Sequence, residues 1–257
     1  MSPLMEDGFH ATNATTNRQA DADFERVPHG SPSNGTVFID GYGGQADAIA
    51  IIGMATKLPQ DAASAEAFWQ MLLEGRSAMT EVPEDRFNID AFYHPDGDRL
   101  NTLNTRSAHF MKTDLAAFDA PFFSIPKAEA ESLDPQQRGL LECTHHAFEN
   151  AGIPLQMVNG SKTGVYVGSF AREYDTLFSR DPDLQPKYQA SGTGQAMMSN
   201  RLSWFYDLRG PSMTIDTACS SSLNALHVAC QSLRAKESTM VSTEHTFSKS
   251  NSQADTL

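Results

Sequence analysis

The stretch Gly210 to Arg234, GPSMTIDTACSSSLNALHVACQSLR, drives an apolar strand straight into a helix with no spacer. Ser212 to Asp216 reads as the strand, Thr-Ala-Cys-Ser-Ser-Ser as a tight turn, and the remainder as an amphipathic helix. Such a junction has the form of a nucleophile elbow. Cys219 would sit beside backbone N–H groups left unpaired at the helix start, where the helix dipole favours negative charge. Ala218 and Ser220 to Ser222 are small enough for a sharp turn and for a substrate to approach. The helix is expected to bury Leu223, Leu226 and Cys230, spaced i, i+3 and i+7. By composition alone, a cysteine at a strand end is more often a small core residue than a nucleophile, so the junction does not decide the chemistry unaided.

Elsewhere the pattern alternates strands and helices, as an α/β chain requires. AIAIIGMA places Ile49, Ile51 and Ile52 in a short apolar run stopped by Gly53, the pattern of a strand buried on both faces. Ser64 caps a following helix carrying Phe68, Met71 and Leu72, and Gly75 ends it. The next forty residues, with Pro83, Pro95 and Gly97, predict long surface excursions. DPQQRGLLECTHHAFENAGI then supplies an Asp134 cap, Pro135 in the first turn, apolar Leu140, Leu141, Ala147 and Phe148, and a Gly152 stop. KTGVYVGSF predicts a second strand through Val165 and Val167, with Gly164 and Gly168 where backbones pass closely. A further helix is expected over Gln195 to Tyr206.

Charge and cysteine usage narrow the function classes. A net charge of -13 opposes nucleic acid or anionic lipid as a partner, since no stretch clusters basic residues. No apolar run approaches the ~18 to 20 residues a membrane helix needs, and the start lacks a signal-peptide pattern. With Cys143, Cys219 and Cys230 in no framework or metal-ligand spacing, reduced thiols and a cytoplasmic location are expected. Residues 1–46, polar and broken at Pro28 to Gly30 and Gly41 to Gly44, read as a disordered leader, and a mean hydropathy of -0.40 agrees with some unfolded length. The ordered domain is expected over 47–240, and 241–257 as an atypical polar tail that will not form a buried strand.

DTACSSSL, preceded by GPS and followed by ALHVAC, resembles the active-site signature of β-ketoacyl synthases, in particular those of polyketide synthases. AIIGMATKLP, AEAFWQMLLEGRSAMTEVPEDRFN, FDAPFFSIPKAEAESLDPQQR, HHAFENAGIP and TGVYVGSF occur in the family's order, so the resemblance covers about residues 47 to 240. FFSIPKAEAESLDPQQRGLLE and QASGTGQAMMSNRLSWFYDLRGPSMTIDTACSSSL are most similar to fungal iterative, highly reducing synthases.

The resemblance implies the N-terminal half of a thiolase-like α/β fold, a mostly parallel or mixed sheet with helices on both faces. It implies decarboxylative Claisen condensation, in which Cys219 takes an acyl chain as a thioester and yields it to a carbanion from a malonyl thioester. The Cys219 backbone N–H is the candidate oxyanion donor. Implied partners are an acyl carrier protein bearing phosphopantetheine and malonyl or acyl thioesters. NADPH would serve other domains of a whole synthase, and no cofactor or metal is assigned to this chain.

The family's second-half histidine pair and lysine lie in HGTGT-type and KSNxGH-type motifs that this sequence lacks; Ser248 to Asn251 spells SKSN without a following Gly-His. His227 lies roughly 12 Å along the helix from Cys219 by the rise per residue, too far for direct proton transfer. His145 and His146 are read as packing residues, whereas His94 and His109 fall in a loop-rich region. Condensation by this chain alone is therefore not expected, and a catalytically incompetent truncated product or a carrier-binding fragment is the alternative. A retained intron after Val241 would account for the polar tail. The homodimer of the intact family is doubtful here, because the residues after the elbow helix are polar.

Overall fold

At the centre of the computed structural model, which describes residues 48–181, 183 and 185–246, lies strand β3 (Thr163–Gly168), buried along its whole length. Strands β4 (Ser212–Ile215) and β5 (Met240–His245) flank it in parallel, in the order β4-β3-β5. Val165 pairs with Ser212 on one side, and Thr163 through Gly168 pair with Met240 through His245 on the other. Side chains alternate across β3 because successive Cβ atoms point to opposite faces. Val165 and Val167 face one helical layer, and Tyr166 faces the other.

The larger layer is built on α3 (Pro135–Asn150) and α7 (Met197–Phe205). Leu140, Leu141 and Phe148 meet Met198, Leu202, Val165 and Val167 in one apolar cluster. Asp134 caps α3 as expected, its Oδ1 accepting the Gln136 N–H at 2.8 Å, and Pro135 occupies the first turn. Burial pushes the Asp134 carboxyl up to about 6, against the lowering effect of the Gln136 donors. The smaller elements are α1 (Ala65–Leu73), α2 (Lys127–Ala130), α4 (Leu155–Val158), α5 (Glu173–Ser179) and α6 (Gln189–Thr193). Ser64 Oγ caps α1 by accepting the Ala67 N–H, and Gly75 follows it at φ +63°. Between α1 and α2 the chain makes the expected excursion, braced by an antiparallel pair, β1 (Met79–Glu81) and β2 (Ser107–His109).

Helix α8 (Ser221–Arg234) forms the second layer, and it turns a different face inward from the one expected. Ser221, Ala225, Ala229 and Ser232 are buried, whereas Leu223 is 67% and Leu226 43% exposed and Cys230 is half-buried. The reason is the glycine at the end of β3. A Cβ on Gly168 would lie 2.6 Å from the Ser222 N and 2.7 Å from the Ser221 carbonyl carbon, so the helix backbone rests directly on the strand. Only small residues, repeating at i, i+4 and i+8, fit that contact. Both residue sets have helical spacing, and the close approach selects the smaller.

One further expectation is corrected. AIAIIGMA forms no strand: Ile51 is 76% and Ile52 56% exposed. The segment instead crosses the end of α3, where the Met54 N–H donates to Asn150 Oδ1, Lys57 pairs with Glu142, and a Cβ on Gly53 would strike the Ala147 carbonyl oxygen. Its backbone thus meets a helix rather than a sheet edge. Residues 241–245 of the polar tail, expected not to form a buried strand, pair with β3 as part of β5, in which no residue is fully buried. Such a half-buried strand suits the edge: Met240 packs on the main cluster and Val241 beside Tyr166, while the Ser242 hydroxyl donates to Glu244 Oε1. The proposed leader 1–46 and the Ser248 to Asn251 string lie outside the described residues.

Arg201 ties α7 to α3. Its side chain is 5% exposed, and it donates from Nε to Gln137 Oε1 at 2.7 Å, from one terminal nitrogen to Glu129 Oε1 at 2.8 Å, and from the other to the Ser191 carbonyl. Removing one partner of a buried pair strands the other. Arg201→Met is therefore expected to destabilise the fold by about 3–5 kcal/mol, read in urea titration as a lower midpoint with an unchanged slope.

Candidate active site

The junction between β4 and α8 is a five-residue turn, Asp216 to Ser220, and it is strained at one point. Ala218 has φ +55°, a left-handed conformation that side-chain-bearing residues seldom adopt. A dense set of short polar side chains holds it there. Asp216 Oδ1 accepts the Ala218 N–H at 3.1 Å, and Ser221 Oγ accepts the Thr217 N–H at 2.9 Å while donating to the Ala218 carbonyl at 2.6 Å. Asn224 Nδ2 donates to Thr217 Oγ1 at 2.9 Å, with the Ser220 hydroxyl also within 2.9 Å of that oxygen.

Cys219 follows the strained residue and is exposed. Among the described residues its N–H donates to no acceptor, and it precedes the first residue of α8 by two positions. An exposed thiol, an unsatisfied amide and a helix N-terminus therefore coincide. The other two cysteines differ. Cys143 lies on α3, where burial, with Glu244 adding to it, pushes its thiol up to about 11; Cys230 is half-buried on α8.

No hydrogen bond or ion pair joins a histidine to Cys219 among the described residues. His227 is exposed on α8, and His146 is exposed on α3. His145 packs edge-on against Phe122 and lies 3.5 Å from Glu149 Oε1. His94 Nδ1 accepts the Asp96 N–H in the excursion, and His109 is exposed on β2. One histidine that the sequence pattern did not single out, His245, is carried by β5 to the same end of the sheet, with Nδ1 3.1 Å from the Gly168 carbonyl oxygen. The bracing roles of Asp216, Ser221 and Asn224 were likewise missed. Their signal is the density of short polar side chains from Asp216 to Asn224. Among the described residues there is no cluster that could hold a metal ion, and no helix is long and apolar enough to cross a membrane.

This fold places the chain in a known family: residues 46–242 match the family described as "Beta-ketoacyl synthase, N-terminal domain", and the chain is a member of that family. It is 51% identical over 214 residues to the reducing polyketide synthase pksF of Alternaria solani, covering 83% of this chain and 9% of that protein. It is 53% identical over 198 residues to the highly reducing polyketide synthase Preu1 of Preussia isomera, covering 77% of this chain and 8% of that protein. The chain thus spans less than a tenth of these relatives. Among solved structures, the oxazolomycin ketosynthase domain OzmH KS7 of Streptomyces albus JA3453 superposes with a TM-score of 0.72 at 36% identity, over 78% of this chain and 35% of that one. The ketosynthase from module 6 of the bacillaene synthase of Bacillus subtilis 168 gives 0.65 at 36% identity, over 76% and 31%. The expected thiolase-like ketosynthase fold and the affinity to fungal reducing synthases are both borne out.

The bracing of the turn makes a direct prediction. Ser221→Ala removes the acceptor of the part-buried Thr217 N–H bond, a loss of about 1 kcal/mol. It is expected to lower the thermal midpoint and to slow alkylation of Cys219 in the folded protein, whereas the same change at exposed Ser220 does less to both.

Proposed function

We propose that this chain is the nucleophile-bearing part of a polyketide synthase ketosynthase domain and that Cys219 is its acyl acceptor. The observation that carries the reading is the exposure of Cys219 at a strained, side-chain-braced strand-to-helix turn, with its own N–H unoccupied. In the loading step the Cys219 sulfur attacks the carbonyl carbon of an acyl thioester. The carbonyl oxygen gains charge and is met by the Cys219 N–H and the positive end of α8. Collapse of the tetrahedral species breaks the incoming C–S bond; the departing thiol takes up the proton given up by Cys219, and the acyl group remains on the protein as a new thioester.

The thioester donor we assign is the phosphopantetheine arm of an acyl carrier protein, the carrier chemistry used by polyketide synthases. Condensation needs a further step: a malonyl thioester must lose carbon dioxide, and its carbanion must attack the Cys219-bound acyl group. Among the described residues no histidine is hydrogen-bonded to Cys219, and we assign these residues the acyl-loading step. NADPH chemistry belongs to other domains of a whole synthase, and the cytosol is the compartment in which a reduced Cys219 would serve.

Incubation with a short acyl thioester of a pantetheine-like thiol, followed by intact-mass and peptide analysis, tests the reading. One acyl group is expected on Cys219 and none on Cys219→Ala, with no carbon dioxide released when a malonyl thioester is offered to the acylated chain. Absence of label, or equal label on Cys143 or Cys230, contradicts it.

A further inference from the structure

Glu244 is an acid placed where an ion is hard to keep. It lies on the α3-facing side of β5, with Met240 and Ser242 on the same side of the strand and His245 on the other. The residue as a whole is half-buried because its backbone runs along the sheet edge. The carboxyl end is sealed: Oε2 is buried and has no hydrogen-bond partner among the described residues. Oε1 meets the Ser242 hydroxyl at 2.9 Å and the Thr144 hydroxyl on α3.

The proton count around Thr144 favours one form. A threonine hydroxyl has a single proton to donate, and Thr144 Oγ1 lies both against Glu244 and 2.7 Å from the Leu140 carbonyl oxygen, which can only accept. If Thr144 donates to Leu140, a carboxylate at Glu244 keeps the Ser242 hydroxyl as its one donor, with Oε1 also facing a Thr144 lone pair and Oε2 without a partner among the described residues. A carboxylic acid resolves the conflict by donating its own O–H to Thr144 Oγ1. The remaining neighbours offer no compensating cation. From α3 come the Cys143 thiol and Glu142, the latter already paired with Lys57 from the 48–58 segment. After α7 comes the Tyr206 phenol, which donates to the Leu141 carbonyl. From β5 itself comes Ser242.

We infer that Glu244 acts as a proton-operated clasp: as a neutral acid it seats edge strand β5 against β3 and α3, and its ionisation releases that strand. The contacts that would be released reach the candidate active site. The Thr246 N–H and His245 Nδ1 both engage the Gly168 carbonyl oxygen, Thr246 Oγ1 donates to Gln136 Oε1, and Gly168 is the residue on which the first turn of α8 rests. Burial, only partly offset by hydroxyl contact such as that from Ser242, pushes the Glu244 carboxyl up to about 7. The sign follows from the folded state holding the proton more tightly than the open one. Seating of β5 is strongest below the ordinary glutamate range and weakens as pH rises toward about 7, above which it levels off.

Hydrogen exchange of peptides covering β5, corrected for intrinsic rates and read where exchange reports the opening equilibrium, tests this in the full chain. Protection is expected to fall roughly tenfold per pH unit between about pH 5 and pH 6.5, and the fall should vanish in Glu244→Gln. Glu244→Leu, which removes the ionisable group without asking the site to accommodate an amide, should also be pH-independent. An equal fall in whichever of these variants folds, or pH-independent protection in the native sequence, overturns the inference.

Discussion

The contact on which the remaining architecture depends is the direct seating of α8 on the end of β3 at Gly168. A single added methyl group there would lie 2.6 Å from the Ser222 N, so the helix cannot approach at that depth over any other residue. This closeness forces the small-residue face of α8 inward and leaves Leu223 and Leu226 outward. It also fixes where the helix must begin, and so how sharply the chain must turn after β4. The left-handed Ala218 follows from that requirement, and Cys219 is exposed because it lies on the outside of the turn.

Local strain of this kind typically costs about 1–3 kcal/mol and persists only where neighbours over-determine it. Here the neighbours are hydroxyls, an amide and a carboxylate within eight residues of one another, from Asp216 to Asn224. The serines and threonine that make room for the turn also satisfy its backbone, so space and hydrogen bonding come from the same atoms. Arg201 performs a comparable task at longer range, joining α7, α3 and the segment around Ser191 behind the sheet.

Much of this was legible in the amino-acid pattern. Asp134 before Pro135, Ser64 before Ala65, and Gly164 and Gly168 around Val165 and Val167 each carried a local signal whose cause is local: a cap, a fixed φ or a missing Cβ. The elbow was legible for the same reason. What escaped was decided by partners distant in sequence. Ile51 and Ile52 have strand composition, but the element beside them is the end of α3. The pairing of the polar residues 241–245 with the sheet edge rests in part on Thr144, a hundred positions earlier, which meets Glu244. The inward face of α8 was misread because two helical stripes coexist, and only the depth of the contact with β3 distinguishes them.

Native-state alkylation with limiting reagent, quenched and mapped by peptide, tests most directly whether the seating of α8 presents Cys219 as the reactive thiol. The structure predicts that Cys219 is modified first, with Cys143 and Cys230 protected until the protein is unfolded. Modification of Cys143 or Cys230 at a rate equal to that of Cys219 in the folded protein would contradict it.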